Sequence, residues 1–266
     1  QNTLLIARQV AADLESEMSA IESALKVLAS APEWQQGDLR GFHERARGAL
    51  VAGTVYNYIV TNRAGHQVMN TLVPFGQPLP TTGTPAQLDR VFETGETVLT
   101  DYFVGPVTRK PAIAMGVPVR VNGEVVYSLN IGLSPERINQ LLQRQPLPDG
   151  WLIAVLDGSG TIVGRSRDAA RFVGEPAVPE LREALARRAE VRLRIPTKEG
   201  IPSFAAVKPV ERWQWGIAVG LHESSLYAGV ETMVRRVLLG MALALGIGLV
   251  LALGLARRVL ATVRDI

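Results

Sequence analysis

The sequence contains no cysteine and only three histidines in 266 residues. Without cysteine there is no disulfide framework, zinc–thiolate site, iron–sulfur cluster or cysteine nucleophile. His43, His66 and His222 each lack a second ligand at three- or four-residue spacing, so we expect no metal site. No P-loop, Gly-x-Ser-x-Gly elbow or His-Glu-x-x-His motif occurs, and we expect neither catalytic residues nor a cofactor.

The chain also lacks a strong charge of either sign. Its 28 Lys and Arg residues against 25 Asp and Glu residues leave a net charge of +3. This balance argues against nucleic acid as a partner, since such binding draws on neutralised phosphates. With 47% apolar and 20% charged residues, the composition is that of a folded protein. The length suits two domains.

One long hydrophobic run is present, over residues 237–256, where 20 consecutive residues are uncharged. A helix of that length spans about 30 Å, the thickness of a bilayer's hydrocarbon core. We therefore predict a single transmembrane helix rather than a helix buried in a soluble core. Arginines on both sides favour a cytoplasmic C-terminus only weakly. Small residues at every fourth position from Gly240 to Ala256 either pair this helix with another or reflect ordinary membrane composition.

An apolar stripe marks the N-terminal region. Its members are spaced alternately three and four residues apart, which predicts one long helix that ends near Ala31-Pro32. The stripe needs a partner surface, and both the chain's own domains and the same helix of a second subunit remain open. The stripe consists of Leu4, Ala7, Ala11, Leu14, Met18, Ile21, Leu25 and Leu28.

The middle of the chain reads as two copies of one unit. Each copy begins with a predicted hairpin, at 55–70 and at 151–163, where Asp157-Gly-Ser-Gly160 forms the second turn. A helical patch follows in each copy, at 86–93 and at 178–189. Each copy then closes with a strand pair that begins at Pro118-Val119 or at Pro209-Val210. The order strand, strand, helix, strand, strand therefore occurs twice, which predicts two similar antiparallel sheets.

This order of elements resembles a double Cache sensor domain, in which two tandem PAS-like sheets lie on a long N-terminal helix. More narrowly, several short segments resemble extracytoplasmic sensor domains of bacterial histidine kinases. The resemblance covers nearly the whole chain and implies an α+β fold followed by one transmembrane helix. The segments are Ala29-Ser-Ala-Pro, Gly37-Asp-Leu, Asn70-Thr-Leu-Val-Pro-Phe-Gly, Leu99-Thr-Asp-Tyr-Phe-Val-Gly, Gly150-Trp and Phe172-Val-Gly.

The resemblance, together with the proline- and glycine-rich joint at 143–150, divides the chain into four parts. Residues 1–33 form the signalling helix and 34–145 a membrane-distal PAS-like unit that binds ligand. Residues 146–225 form a membrane-proximal PAS-like unit, and 226–266 contain the transmembrane helix and the start of a cytoplasmic linker. A shift in the second unit would then reach the other side of the membrane mechanically.

A ligand site is expected in the first unit, on a loop and on the strands beside it. Recognition groups are commonly held by loops on a rigid sheet. Arg109 would bind a carboxylate and Asp101 an ammonium or hydroxyl group, which suits a small organic acid or similar solute. By resemblance, the amino-acid-binding branch of the family typically carries an Arg and a Trp close together with flanking Tyr residues, whereas Arg109 is followed by Lys110-Pro111 with no Trp. The predicted site residues are Tyr58, Asn70, Asp101, Tyr102, Thr108, Arg109, Met115, Tyr127 and Asn130.

The sequence thus predicts the ligand-sensing input region of a membrane-bound bacterial signal transducer, with its sensor part in the periplasm or outside the cell. By resemblance the parent protein is a two-component sensor histidine kinase, and we expect no enzymatic activity within these residues themselves. A chemoreceptor or a diguanylate cyclase is the alternative, and a membrane-anchored enzyme with an external active site is a further one. We expect a homodimer formed through the N-terminal and transmembrane helices.

Overall fold

The computed structural model describes residues 2–50, 55–79, 86–105, 108–225, 237–241, 245, 246 and 248. Residues 1–221 form one compact unit and residues 222–266 another. In the described part of the first of these, two antiparallel sheets share one long N-terminal helix, which is an α+β fold. Its helices are α1 (Asn2–Ala29), α2 (Glu33–Gln36), α3 (Leu39–Gly48), α4 (Arg90–Thr94), α5 (Glu136–Gln143), α6 (Ala169–Phe172) and α7 (Pro179–Ala186).

The two sheets have matching strand orders. The first sheet runs β2-β1-β6-β5-β3, with the short β4 also on β5, and the second runs β8-β7-β11-β10-β9. The strands of the first sheet are β1 (Val55–Asn62), β2 (Gln67–Asn70), β3 (Val98–Leu99), β4 (Phe103–Val104), β5 (Pro111–Val121) and β6 (Glu124–Leu133). Those of the second are β7 (Trp151–Leu156), β8 (Ile162–Arg165), β9 (Val191–Pro196), β10 (Pro202–Val210) and β11 (Trp215–His222).

The duplication is present, although the sequence placed some strands inaccurately. Each copy contains a strand that the sequence analysis missed, β3 in the first and β9 in the second, and both lie at a sheet edge. Pro209-Val210 ends β10 rather than beginning a strand pair, and Pro118 lies within β5. The prolines misled the prediction because neither begins a strand. Pro118 itself pairs with Ser128 of β6, and Pro209 comes two residues after the last pair of β10 with β9.

Helix α1 follows the predicted apolar stripe, and six of its eight stripe residues, from Ala7 to Leu25, are buried. They pack against β5 and β6 of the first sheet and β10 of the second, so the chain's own sheets cover the stripe. One hydrophobic core therefore contains residues of α1 and of both sheets. After α1, Gly37 takes a left-handed conformation, and the Asp38 side chain caps α3 by accepting from the Gly41 N–H at 2.9 Å.

Among the described residues, no helix is long and apolar enough to cross a bilayer. Most of the predicted span 237–256 lies outside those residues. The transmembrane helix and the linker after it therefore stay a prediction.

Candidate functional site

The two faces of the first sheet differ in chemistry. Strand pleating sends alternate side chains to opposite faces. On β1, Tyr58 and Val60 point into the core shared with α1, and on β6 Leu129 and Ile131 do the same. The alternate positions of these strands form the outer face, which is turned away from α1.

Six buried polar side chains occupy this outer face, and we call them the polar cluster. They come from the three neighbouring strands β2, β1 and β6, and none is more than 9% exposed. Cross-strand pairing places them close together, since Ile59 of β1 lies opposite both Asn70 and Asn130. The polar cluster consists of Asn57, Thr61, Gln67, Asn70, Ser128 and Asn130.

Hydrogen bonds hold the polar cluster in two groups. In one, Asn57 Nδ2 donates to Asn70 Oδ1 at 3.0 Å, and Asn70 Nδ2 donates to Gln67 Oε1 at 3.1 Å. In the other, Ser128 Oγ donates to Asn130 Oδ1 at 2.7 Å, and Asn130 Nδ2 donates to Thr61 Oγ1 at 3.2 Å. These contacts fix the orientation of each amide, so the polar groups are preorganised.

Two glycines leave room for the cluster. A Cβ atom at Gly116 would lie 2.4 Å from Asn130 Oδ1 and 2.8 Å from Leu88 Cδ2. A Cβ atom at Gly132 would lie 2.7 Å from Asn57 Oδ1. Leu88 belongs to a 3₁₀ turn, Ala86–Asp89, which therefore lies over the same face. The outer face is therefore polar across the cluster and is bordered at Gly116 by the apolar side chain of Leu88.

The second sheet provides an internal comparison. Its outer face carries an apolar cluster that includes Ala154, Leu156 and Ala218, on strands β7 and β11. In the matching strand order, β7 and β11 correspond to β1 and β6, which hold four of the six residues of the polar cluster. The cavity on this face measures only about 50 Å³. Since the duplicated sheets share one topology, polarity distinguishes the first sheet as the candidate binding unit.

The structure brings two of the predicted site residues, Asn70 and Asn130, into the polar cluster. It places Tyr58, Met115 and Tyr127 on the other face, toward α1. Tyr58 and Met115 are buried in the core, and burial raises the pKa of the Tyr58 hydroxyl. Tyr58 and Tyr127 do not face the cluster because each is one strand position from a cluster residue, Asn57 or Ser128, and Met115 does not because it pairs with Ile131 of the inner face.

Asp101 and Tyr102 lie where the first sheet's loop meets the second sheet. The Asp101 carboxylate accepts from Gln87 Nε2 at 2.7 Å and from the Gly158 N–H at 2.8 Å. The Tyr102 N–H donates to Asp157 Oδ2 at 2.8 Å. The tight turn after β7 is therefore hydrogen-bonded to the loop between β3 and β4. We call this contact the sheet joint.

Asp157 is fully buried and organises its side of the sheet joint. Besides Tyr102, its carboxylate accepts from the Ser159 N–H, the Ser159 hydroxyl and the Thr161 N–H, at 2.7 to 3.0 Å. Burial raises the pKa of Asp157 and the Asp101 charge adds to this, while the hydrogen bonds oppose the shift.

A second contact between the sheets runs through α1. Glu22 is buried and forms ion pairs with Lys26 and with Arg212, which precedes β11, and it accepts from the Thr97 hydroxyl at 2.6 Å. Burial raises the pKa of Glu22, but these partners outweigh it and the net shift is downward. One carboxylate thus joins α1, the first sheet's loop and the second sheet.

Thr108 and Arg109, the remaining predicted residues, belong to an exposed turn. Arg109 has a left-handed backbone, with φ of 54°, and its N–H donates to the Gly105 carbonyl at 2.8 Å. Thr108 Oγ1 accepts from the Lys110 N–H at 3.3 Å. Within the described part of the chain, their hydrogen bonds stay inside this turn, so the structure does not bring them to the polar cluster.

Four members of the polar cluster were missed from the sequence: Asn57, Thr61, Gln67 and Ser128. A signal was present, since Asn57 and Thr61 alternate with apolar Tyr58 and Val60. Polar residues at every second position of a strand otherwise flanked by core residues indicate either a solvated face or a site. The burial of these four side chains favours a site over a solvated face, and burial could not be read from the sequence because it depends on the tertiary fold.

No protein-family model matches the sequence, and no curated protein matches it significantly. Solved structures do match. The extracellular domain of the candidate histidine kinase rpHK1S-Z16 is 14% identical, with a TM-score of 0.68 over 86% of this chain and 96% of that one. The ligand-binding domain of the Pseudomonas aeruginosa PAO1 amino acid chemoreceptor PctB, in complex with L-Gln, is 14% identical, with a TM-score of 0.65 over 88% and 98%.

The ligand-binding domain of the Pseudomonas fluorescens chemoreceptor CtaA, in complex with L-isoleucine, is a third match, 13% identical with a TM-score of 0.64 over 84% of this chain and 92% of that one. The chain has the double Cache fold. The fold predicted from the order of elements is thereby confirmed for the helix and the two sheets. Among the described residues, no group of three or more acidic or histidine side chains could hold a metal ion.

Proposed function

We propose that this chain is the ligand-sensing input region of a membrane-bound bacterial signal transducer, and in the first place of a two-component sensor histidine kinase. A small solute binds at the polar cluster of the first sheet, and the sheet joint passes its effect to the second sheet. Extracellular domains of histidine kinases and of chemoreceptors both share the fold, so a chemoreceptor is the second candidate.

The observation that carries the proposal is the contrast between two copies of one sheet. One copy has an outer face of buried, hydrogen-bonded polar groups, and the other has a packed apolar face. A fold needs no polar cluster for stability, because an apolar face of the same topology serves in the second copy. Hydrogen-bonded polar groups that converge on one preorganised surface are typical of a binding site.

We propose that residues 1–33 form the signalling helix, 34–145 the distal unit and 146–225 the proximal unit. Residues 226–266 then contain the membrane span, at 237–256. The hydrophobic run supports the span, and the fold supports a sensor part in the periplasm or outside the cell. Two copies of the chain associate through α1 and the transmembrane helices. Val27 and Leu5 of α1, which are exposed although apolar, support this contact.

Binding without turnover tests the proposal. Differential scanning fluorimetry of the full chain in detergent identifies small solutes that raise its melting temperature. We expect these solutes to bind at least tenfold more weakly to Gly116→Ala, because the new methyl group displaces Asn130 and Leu88. Gly48→Ala is the matched control, since a Cβ atom there meets nothing within 4 Å. Conversion of a bound solute to product would instead support an enzyme, and undiminished binding in Gly116→Ala would place the site elsewhere.

Cysteine labelling tests the topology, and the absence of natural cysteines makes any introduced one unique. Glu124→Cys, at an exposed position of the first sheet, is expected to react with a membrane-impermeant maleimide in intact cells. Asp265→Cys, beyond the hydrophobic run, is expected to react only after the cells are permeabilised. The reverse pattern, or equal labelling of both, would contradict a single span with the sensor outside.

A further inference from the structure

The polar cluster is built entirely from uncharged groups. Four carboxamides and two hydroxyls line it, and none of its side chains is ionisable. Buried sites that hold ionised ligands commonly supply an opposite charge, because removing an unpaired charge from water is strongly unfavourable. The cluster offers hydrogen-bond donors and acceptors but no charged group.

The chain segment that follows the cluster is also free of charge. From Thr71, directly after Asn70, to Leu88, which contacts the Gly116 position, the sequence contains no ionisable side chain. The segment joins β2 to the 3₁₀ turn that lies over the outer face. Among the described residues, a ligand on the cluster would therefore meet the uncharged groups of the cluster itself and the apolar side chain of Leu88 beside it.

Three charged residues in the loops of the first sheet, Arg63, Asp101 and Arg109, have other contacts or are exposed. The Asp101 carboxylate is used at the sheet joint by Gln87 and Gly158. Arg63 lies over the ring of Phe92, 5.6 Å from its centroid. Arg109 is exposed in its turn. The predicted pairing of a ligand carboxylate with Arg109 and an ammonium with Asp101 has no support in these contacts.

The cluster retains unused hydrogen-bonding capacity of both kinds. Within the described part of the chain, no hydrogen bond involves Gln67 Nε2 or Asn57 Oδ1, and Asn57 Nδ2 and Asn70 Nδ2 each donate only once. At least three amide nitrogens with an unused hydrogen and one unused carbonyl oxygen therefore lie on one surface. Their complement is a ligand that carries both hydroxyl or carbonyl acceptors and O–H or N–H donors.

We propose that the ligand is an uncharged polar molecule bearing hydroxyl or carboxamide groups, such as a sugar, a polyol or a primary amide. This inference rests on the proposed function and narrows it. It departs from the organic acid expected from the sequence and from the amino acids bound by PctB and CtaA. Selectivity arises because an ionised analogue would leave its charge unpaired on the cluster.

Matched pairs of compounds test the ligand class. Glucose with glucuronate, and succinamide with succinate, differ chiefly in charge, and amino acids serve as a third set. We expect uncharged members to raise the melting temperature of the full chain in detergent and to bind at least tenfold more tightly than their ionised partners. Their affinity should change less than about twofold between 50 and 500 mM NaCl, where the Debye length falls from about 14 to about 4 Å, because the ligand makes no ion pair that salt could screen.

The isosteric variant Asn130→Asp tests whether the ligand binds at the polar cluster. It introduces one carboxylate and is expected to weaken binding of the uncharged ligand at least tenfold while it improves binding of an amine analogue, such as glucosamine for glucose. Asn122→Asp, at an exposed turn, is the matched control and should change neither affinity. If Asn130→Asp does not fold, as judged by circular dichroism, Thr61→Val removes one hydroxyl at nearly constant volume and should weaken uncharged ligands.

The outcomes separate this inference from the proposed function. If an ionised compound binds best, depends on salt and loses affinity in Gly116→Ala, the chain is a sensor but the uncharged class is wrong. If no compound of any class stabilises the wild-type chain, the proposed function fails and the ligand class fails with it. Tight binding of an uncharged compound that Asn130→Asp leaves unchanged also overturns the inference, because the ligand then lies away from the cluster.

Discussion

Asp157→Ala is expected to lower the free energy of unfolding by about 3 kcal/mol. The wild-type carboxylate satisfies three backbone N–H groups and one hydroxyl, and alanine would leave those donors without a partner. Each unsatisfied buried donor costs about 1 to 3 kcal/mol, although water can reach part of the turn in the variant. Urea denaturation of the full chain in detergent, followed by tryptophan fluorescence, measures the change.

Asp157→Asn is expected to cost about half as much, because its side-chain oxygen still accepts while its NH₂ group meets donors of the chain. Asp149→Ala is the matched control. Asp149 is fully exposed, and its distance to Arg167 Nη2 is 3.6 Å, so its removal should change stability by less than about 0.5 kcal/mol. Equal effects of the three substitutions would contradict a role for Asp157 in the sheet joint.

Glu199→Gln is expected to cost about 2 to 3 kcal/mol, since it leaves a buried arginine without its counter-charge. Arg165 is 2% exposed, and its Nη2 lies 2.8 Å from Glu199. It also stacks on Phe172, with its Cζ 4.2 Å from the ring centroid. The pair joins β8 to the turn after β9, at opposite edges of the second sheet, over the apolar outer face. Glu175→Gln, on an exposed side chain 3.8 Å from Lys198, should have little effect.

The effect of Glu199→Gln should depend on pH. Burial raises the pKa of Glu199, but hydrogen bonds from Arg165, the backbone and Thr197 outweigh it and hold the pKa below 4.5. A lowered carboxylate pKa means that the stabilisation is complete well above the unfolded pKa, about 4.3, and is lost as the pH falls through the folded pKa. The difference between wild type and variant should therefore be constant from pH 7 to pH 5 and shrink below 4.5. A gap that widens in acid would exclude this ion pair as its source.

The elements that the sequence predicted well are those set by local pattern. The stripe on α1 has a period that only a helix matches, and Asp157-Gly-Ser-Gly160 has the composition of a tight turn. The tandem arrangement of the sheets was also readable, because each copy repeats the same order of elements. The edge strands β3 and β9 were missed because β3 has two residues and β9 alternates charged with apolar residues.

The candidate site was predicted less completely, for a physical reason. Loop charges such as Arg109 and Asp101 are conspicuous in a sequence, whereas a buried amide is recognised only when its neighbours are known. Asn57 and Asn70 come together through strand pairing, and the Asp157 contact with Tyr102 joins residues 55 positions apart. Contacts at that separation depend on the packing of the two sheets on α1, which no local pattern encodes.

Residues of α1 and of both sheets form one hydrophobic core, so neither sheet can lose its structure without exposing apolar side chains of α1 that also cover the other. Two ion pairs at different points along α1 add to this connection, Arg8 with Glu190 and Glu22 with Arg212. The two sheets should therefore unfold together in a single cooperative transition rather than one after the other.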